Sequence, residues 1–246
     1  MVRAFSWEAR GHILVVSIAE PPERKADPQR LAAELLDLSA SIPEEIRVIL
    51  VVGKGKRAFS RPIPDRMGDA SLLSLTEPVA RLEVPVIAAL SGPVLGPGLE
   101  LALACDVRIA AATSTFALPH IRRGLIPRDG GTQRLPRLVG KAKALELLLL
   151  GERIDAQEAM RIGLVHRVVP PRALAETAMS LARDMASRSP VALRFAKEAV
   201  NQGMDMPLHQ GLRLEADLYF LLQTTEDRVE GIRSFREKRR PRFKGA

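Results

Sequence analysis

The feature that most constrains this chain is a glycine- and proline-rich turn that runs without a spacer into an apolar helix, within Pro85 to Gln133. Val84 to Leu90 is short, apolar and β-branched, which predicts a buried strand. Gly92, Pro93, Gly96, Pro97 and Gly98 end that strand and lead directly into Leu99-Glu100-Leu101-Ala102-Leu103-Ala104. This helix is apolar on nearly every face and is therefore expected to be buried. Glu100 is the exception. An unpaired carboxylate there costs several kcal/mol, so Glu100 must be hydrogen-bonded, raised in pKa, or in use at a cavity.

A chain of 246 residues has room for one large domain, or a core with a smaller appendage. Hydrophobic residues at 46% and charged residues at 27% suit a soluble globular protein. Aromatic residues at 4% argue against base-stacking surfaces, so no nucleic-acid partner is expected. The net charge of +8 fits either a phosphate-bearing ligand or a generally basic surface. Cys105 is the only cysteine, which rules out an internal disulfide and a thiolate metal cluster. Its apolar neighbours make it a small core residue rather than a nucleophile. Met1 to Arg10 lacks a continuous signal-peptide core, and His12 to Ala19 is too short to span a membrane. No membrane partner and a cytoplasmic location are expected.

Along the chain, Arg3 to Ala9 and His12 to Ala19 read as strands meeting at Arg10-Gly11. Pro28 opens a helix that Pro43 closes, and Ile46 to Val52 is another buried strand. Gly53 to Asp69 is a basic, Gly/Pro-containing loop suited to a ligand rim, followed by a helix over Ser71 to Leu82. Asp106 to Ala111 and Thr115 to Leu118 are strands joined at Ala112 to Ser114. That turn-back brings Pro119-His120 toward Glu100. From Gly130 helices dominate, apart from a strand at Leu164 to Val169. The shift to helix alone divides the chain into a core at 1–168 and a helical C-terminal region at 169–246.

Three blocks carry a family resemblance: PVIAALSGPVLGPGLELALACDVRIAA, GLIPRDGGTQRLPRLVGKAKALELLLLGERIDAQEAMRIGLVHRVV and GIRSFREKRRPRFKG. In this order and spacing the chain resembles the enoyl-CoA hydratase/isomerase family, the crotonase superfamily, over essentially its whole length. The resemblance implies an α/β fold, a crotonase-like spiral of ββα units whose helical C-terminal region mediates oligomerisation. It implies an acyl-CoA substrate, coenzyme A being part of that substrate, with no separate cofactor and no metal. It also implies a homotrimer or a dimer of trimers. The family chemistry stabilises an enolate through two backbone N–H groups around the thioester carbonyl, while side chains activate water and move a proton.

Carried over position by position, the resemblance makes Glu100 the main acid/base group. His120 stands where the hydratases have a second glutamate, and an imidazole still exchanges a proton near neutral pH. The first oxyanion donor falls on Ile63, in Pro62-Ile63-Pro64 where the family has Gly-Ala-Asp. The second falls on Pro97, which has no N–H; either the turn from Gly96 to Gly98 supplies it, or the chain is a slow hydratase or does something else. Lys25-Ala26 and Ile63 match CoA-contacting positions, and Phe235, Lys238 and Lys244 lie in the terminal block near which the family binds CoA phosphates. Lys238 with Arg239 suits phosphate as a point charge and a fork. Leu72, Leu73, Leu75 and Leu99 line an acyl pocket or are ordinary core.

Two alternatives remain at this level. Pro119-His120, Gly124, Pro127 and Asp129-Gly130 resemble the β-diketone hydrolase branch of the superfamily, in which Asp129 would orient His120 for C–C cleavage. Asp129 equally suits a helix N-cap before Gly130-Gly131-Thr132. Pro97 and the Pro62/Pro64 pair also fit a non-catalytic acyl-CoA-binding protein.

Overall fold

The structure, a computed structural model, describes residues 5–20, 28–61, 63 and 74–246. Its strands are β1 (Phe5–Arg10), β2 (Ile13–Ala19), β3 (Val48–Lys54), β4 (Val86–Leu90), β5 (Pro93–Leu95), β6 (Val107–Ala111), β7 (Thr115–Ala117), β8 (Ile154–Asp155) and β9 (Arg167–Val169). One six-stranded sheet has the order β1-β2-β3-β4-β6-β9, antiparallel at β1–β2 and parallel thereafter. A second sheet has the order β5-β7-β8.

Alternation along the parallel strands builds two cores, because successive side chains face opposite sides of a sheet. Leu14, Val16, Ile49, Val51, Val86, Ala88 and Leu90 enter the larger one. Ile13, Val15, Val48, Leu50, Ile87 and Ala89 face the other way. The larger core is closed by α1 (Pro28–Ala40), α2 (Glu77–Ala80), α3 (Pro97–Ala104), α4 (Gly131–Val139), α5 (Lys141–Leu150) and α6 (Ala156–Arg161). The smaller one is closed by α7 (Leu174–Ala186), whose Leu174, Ala178, Ala182 and Ala186 recur at four-residue spacing as one buried face.

The division expected at residue 168 therefore falls inside β9, and α7 packs on the sheet. Beyond it, α8 (Pro190–Gly203), α9 (Leu208–Gln223) and α10 (Glu226–Arg236) carry exposed apolar side chains, among them Leu212, Phe220, Val229 and Phe235. Lys197 on α8 ties back to the sheet, its Nζ donating to Asp106 Oδ2 at 2.7 Å and to the Val84 carbonyl at 3.0 Å. No helix among the described residues is long and apolar enough to cross a membrane.

One local expectation needs correction. The helix expected over Ser71 to Leu82 is helical only at Glu77–Ala80 among the described residues, since Ser74 to Thr76 take up hydrogen bonds from elsewhere. The turn expected at Ala112 to Ser114 is present, Ser114 N–H donating to the Ala111 carbonyl at 2.9 Å, but the two strands that it joins do not pair with each other. β6 lies in the six-stranded sheet, and β7 pairs in parallel with β5 in the other. Three-residue β5, hidden inside what reads as a turn, and two-residue β8 are too short to show a period of two.

Candidate functional site

The β5–β7 pairing is what assembles the site. Leu95 is in register with Ala117, and the two strands run the same way. The segments that follow them, Gly96 into α3 and Leu118 into a 3-10 turn at Pro119–Arg123, therefore leave the sheet at one end. Glu100 sits on the first turn of α3 and His120 on the 3-10 turn, with Glu100 Oε2 3.6 Å from His120 Nε2. Both side chains are almost completely buried.

Glu100 is held from one side only. Its Oε1 accepts the N–H groups of Asp129 at 2.8 Å and Gly131 at 3.0 Å, where α4 begins. A Cβ on residue 131 would lie 2.7 Å from Pro127 Cβ and 3.1 Å from Glu100 Oε1, so glycine is what lets this amide approach. Oε2 is left for the His120 side. Burial raises the Glu100 pKa, and the two N–H groups oppose that shift without cancelling it. Burial, with a smaller push from Arg123, depresses His120 to about 4. The imidazole is neutral at neutral pH, and its Nδ1 is buried without a hydrogen-bond partner.

Asp129 takes neither of its expected roles. Its Oδ2 accepts the N–H groups of Leu75 at 2.7 Å and Thr76 at 3.2 Å, and its Oδ1 accepts the Ser74 hydroxyl. The carboxylate is thus spent on the entry to α2 and forms no pair with His120. The residue that begins α4 as N-cap is Gly130, not Asp129. Arg134 completes the buttress, its Nη1 donating to Thr76 Oγ1 at 2.8 Å and to the Asp129 carbonyl at 3.1 Å. Sequence reasoning missed Ser74, Thr76 and Arg134, since nothing local signals a contact across more than fifty residues.

The segments expected to form the oxyanion hole are drawn together by a parallel bridge between Ser60 and Leu95, with Leu95 N–H donating to the Phe59 carbonyl at 3.0 Å. This lays Phe59, Ser60, Arg61 and Ile63 against the stretch from Leu95 to Gly98. A Cβ on residue 98 would lie 1.8 Å from the Phe59 carbonyl oxygen, so only glycine fits. A Cβ on Gly96 would be 3.3 Å from Ile63 Cγ1. Gly96 is not a free donor, because its N–H goes to the Ala117 carbonyl at 3.0 Å. Pro97 takes the first helical position, where it suits the backbone and offers no N–H. Gly98 comes next, at a position whose N–H has no partner within the helix. Arg123 Nη1 donates to the Ile63 carbonyl at 3.0 Å and fastens that segment to the His120 turn.

Other expected positions lie elsewhere. Lys25, Ala26, Leu72 and Leu73 lie outside the described residues. Leu75 and Leu99 are buried core. Lys238 is in the turn after α10, and no hydrogen bond or ion pair among the described residues joins that turn to Glu100 or His120. Arg239 is engaged by Glu230 and Glu237 rather than open to phosphate. Cys105 is core, as expected, its thiol pushed up to about 12 by burial. A cavity of about 1130 Å³ lies behind the buttress, lined by Thr76, Asp129, Arg134 and Lys197, and its walls do not include Glu100 or His120. Among the described residues no group of three or more His, Cys, Asp or Glu side chains is placed to hold a metal ion.

Over residues 8–246 the chain matches the family described as Enoyl-CoA hydratase/isomerase. It is 37% identical to the (E)-benzylidenesuccinyl-CoA hydratase of Thauera aromatica, over 97% of this chain and 98% of that protein. It is 40% identical to the 2,3-dehydroadipyl-CoA hydratase of Escherichia coli (strain K12), over 95% of each. The crystal structure of enoyl-CoA hydratase from Bacillus anthracis superimposes with a TM-score of 0.89 at 38% identity, covering 99% of this chain and 100% of that one. The α/β architecture is the crotonase fold, as the resemblance implied.

Proposed function

Because this chain belongs to the enoyl-CoA hydratase/isomerase family, we propose that it adds water across the double bond of a 2-enoyl-CoA, or removes it, using Glu100 and His120. The observation that carries this reading is the asymmetric hold on Glu100: Oε1 is pinned by two N–H groups while Oε2 faces His120 Nε2 across 3.6 Å. That gap admits a water bridging the two groups. In the proposed step the water oxygen bonds to the β-carbon and passes its proton to the pair, while the pair returns a proton to the α-carbon. Burial raises the Glu100 carboxyl and lowers the His120 imidazole, which places the two groups apart in their hold on a proton.

The developing enolate oxygen would lie between the N–H groups of Ile63 and Gly98. Proline at 97 leaves this hole with a displaced second donor. Both named relatives act on acyl-CoAs that carry a carboxylate besides the thioester, and we extend that substrate class to this chain as part of the proposal. The C–C hydrolase reading has lost its support, since the Asp129 carboxylate is committed to Ser74 through Thr76. The test is the absorbance change of crotonyl-CoA and of a carboxyl-bearing 2-enoyl-CoA. Glu100→Gln keeps an oxygen for the two N–H groups and is expected to lose about 10²–10⁴ in kcat. Wild-type turnover that survives this substitution would overturn the assignment.

A further inference from the structure

The peptide carbonyl of Asp129 is held by two side chains that the proposed reaction does not use. Thr76 Oγ1 donates to it at 2.9 Å and Arg134 Nη1 at 3.1 Å. The same Arg134 nitrogen donates to Thr76 Oγ1 at 2.8 Å, which closes a ring of three contacts. A threonine hydroxyl has one hydrogen to give. The Ser74 hydroxyl already covers Asp129 Oδ1, so the Thr76 hydrogen goes to the carbonyl while Arg134 fills a lone pair of the hydroxyl oxygen. Thr76 is buried, so water has little access to these bonds.

Glycine makes room for this clamp. Gly130 has φ +98°, and a Cβ there would lie 2.0 Å from Arg134 Nη1, so the guanidinium reaches back across the first turn of α4 only because residue 130 has no side chain. On the other side of the same turn the N–H groups of Asp129 and Gly131 hold Glu100 Oε1. The turn is therefore fixed between Glu100 and the entry to α2. Its two consecutive glycines leave it soft in itself, and hydrogen bonds weaken steeply as donors swing out of line.

We propose that Thr76 and Arg134 are positioning residues for Glu100: by clamping the Asp129 carbonyl they keep the Asp129 and Gly131 N–H groups on Oε1 and leave Oε2 turned to His120. The effect on turnover rests on the hydratase reading above, and the main readout does not need turnover.

That readout is the protonation of Glu100 itself. The two N–H groups favour the carboxylate and oppose the upward push of burial, so a loosened clamp lets the carboxyl hold its proton to higher pH. An infrared pH titration follows the C=O stretch of the buried carboxyl, identified as the band that Glu100→Gln lacks. Thr76→Val keeps the shape and every charge, and is expected to raise the midpoint by about 0.5–1.5 pH units. Arg134→Gln is expected to raise it too, and carries the test should the valine variant fail to fold. Thr76→Ser keeps the hydroxyl and should titrate as wild type. Asp129→Ala keeps the clamped carbonyl and removes a negative charge that raises Glu100, so its midpoint should stay or fall. With a 2-enoyl-CoA, Thr76→Val should lose about 10–10² in kcat with little change in KM. Wild-type midpoints in Thr76→Val and Arg134→Gln, or a rise in Asp129→Ala as large as theirs, would overturn the assignment and leave the hydratase reading standing. Shifted midpoints in a protein that turns over no 2-enoyl-CoA would keep the clamp and overturn that reading.

Discussion

Glu100 Oε2 and His120 Nε2 face each other at 3.6 Å, in side chains 1% and 4% exposed. Burial moves the two groups in opposite senses, the carboxyl up and the imidazole down. At neutral pH the imidazole is therefore an empty proton acceptor. Separating the two protonation behaviours in this way is what acid–base catalysis by a pair requires.

The acid limb of kcat/KM is expected to fall toward about 4 rather than 6.5, because protonation of His120 is deferred to that range. His120→Gln should remove that limb. Stability has a matching sign. The folded-state pKa of His120 is depressed, so the unfolded chain binds the extra proton first. The contribution is fully present above 6.5 and is lost as pH falls through about 4. From the shift it is on the order of 3 kcal/mol. Glu100 acts in the opposite sense, its raised pKa favouring the folded state below its unfolded value and losing that contribution as pH rises. Thermal melts of wild type and His120→Gln should lie close together near pH 7 and diverge towards pH 4, where the wild type alone loses stability.

Pro97→Gly puts an N–H where the family carries its second oxyanion donor. The substitution also frees the first turn of α3, so a small loss of Tm is expected with it. Turnover should rise, by up to about 10²-fold if the restored donor reaches the enolate oxygen. Unchanged kcat with normal folding would mean that Gly98 already fills the role.

Asp129→Ala separates a buttress from a catalytic dyad. The carboxylate accepts from the Ser74 hydroxyl and from the Leu75 and Thr76 N–H groups, and its removal leaves those donors without their acceptor. A loss of about 1–3 kcal/mol in stability is expected. The backbone N–H of residue 129 still reaches Glu100, so kcat should fall far less than in Glu100→Gln. A collapse of activity equal to that of Glu100→Gln, at unchanged Tm, would return Asp129 to the chemistry.

Much of the layered core was legible because it is written locally. The alternation in Val48 to Leu50 and in Val86 to Leu90 states which side chains share a face, and the turn at Gly96 to Gly98 announces a helix start. Glu100 was legible for the same reason: one carboxylate in an apolar helix violates the pattern around it. His120 was reached through a resemblance and a turn-back at Ala112 to Ser114; the turn and the proximity to Glu100 are both present, and the strands on either side of the turn enter different sheets.

The sequence by itself determined the longer strands, the buried helix and the chain's kinship, because these depend on periodicity and on blocks of neighbouring residues. Only the tertiary structure decided the partners. It took Asp129 from His120 and gave it to Ser74 through Thr76, and turned the Gly96 N–H to Ala117. The physical reason is that hydrogen-bond donors and carboxylates are satisfied by whichever complementary group packing brings within about 3 Å, and packing across β5 and β7 joins segments whose separation along the chain says nothing of that choice.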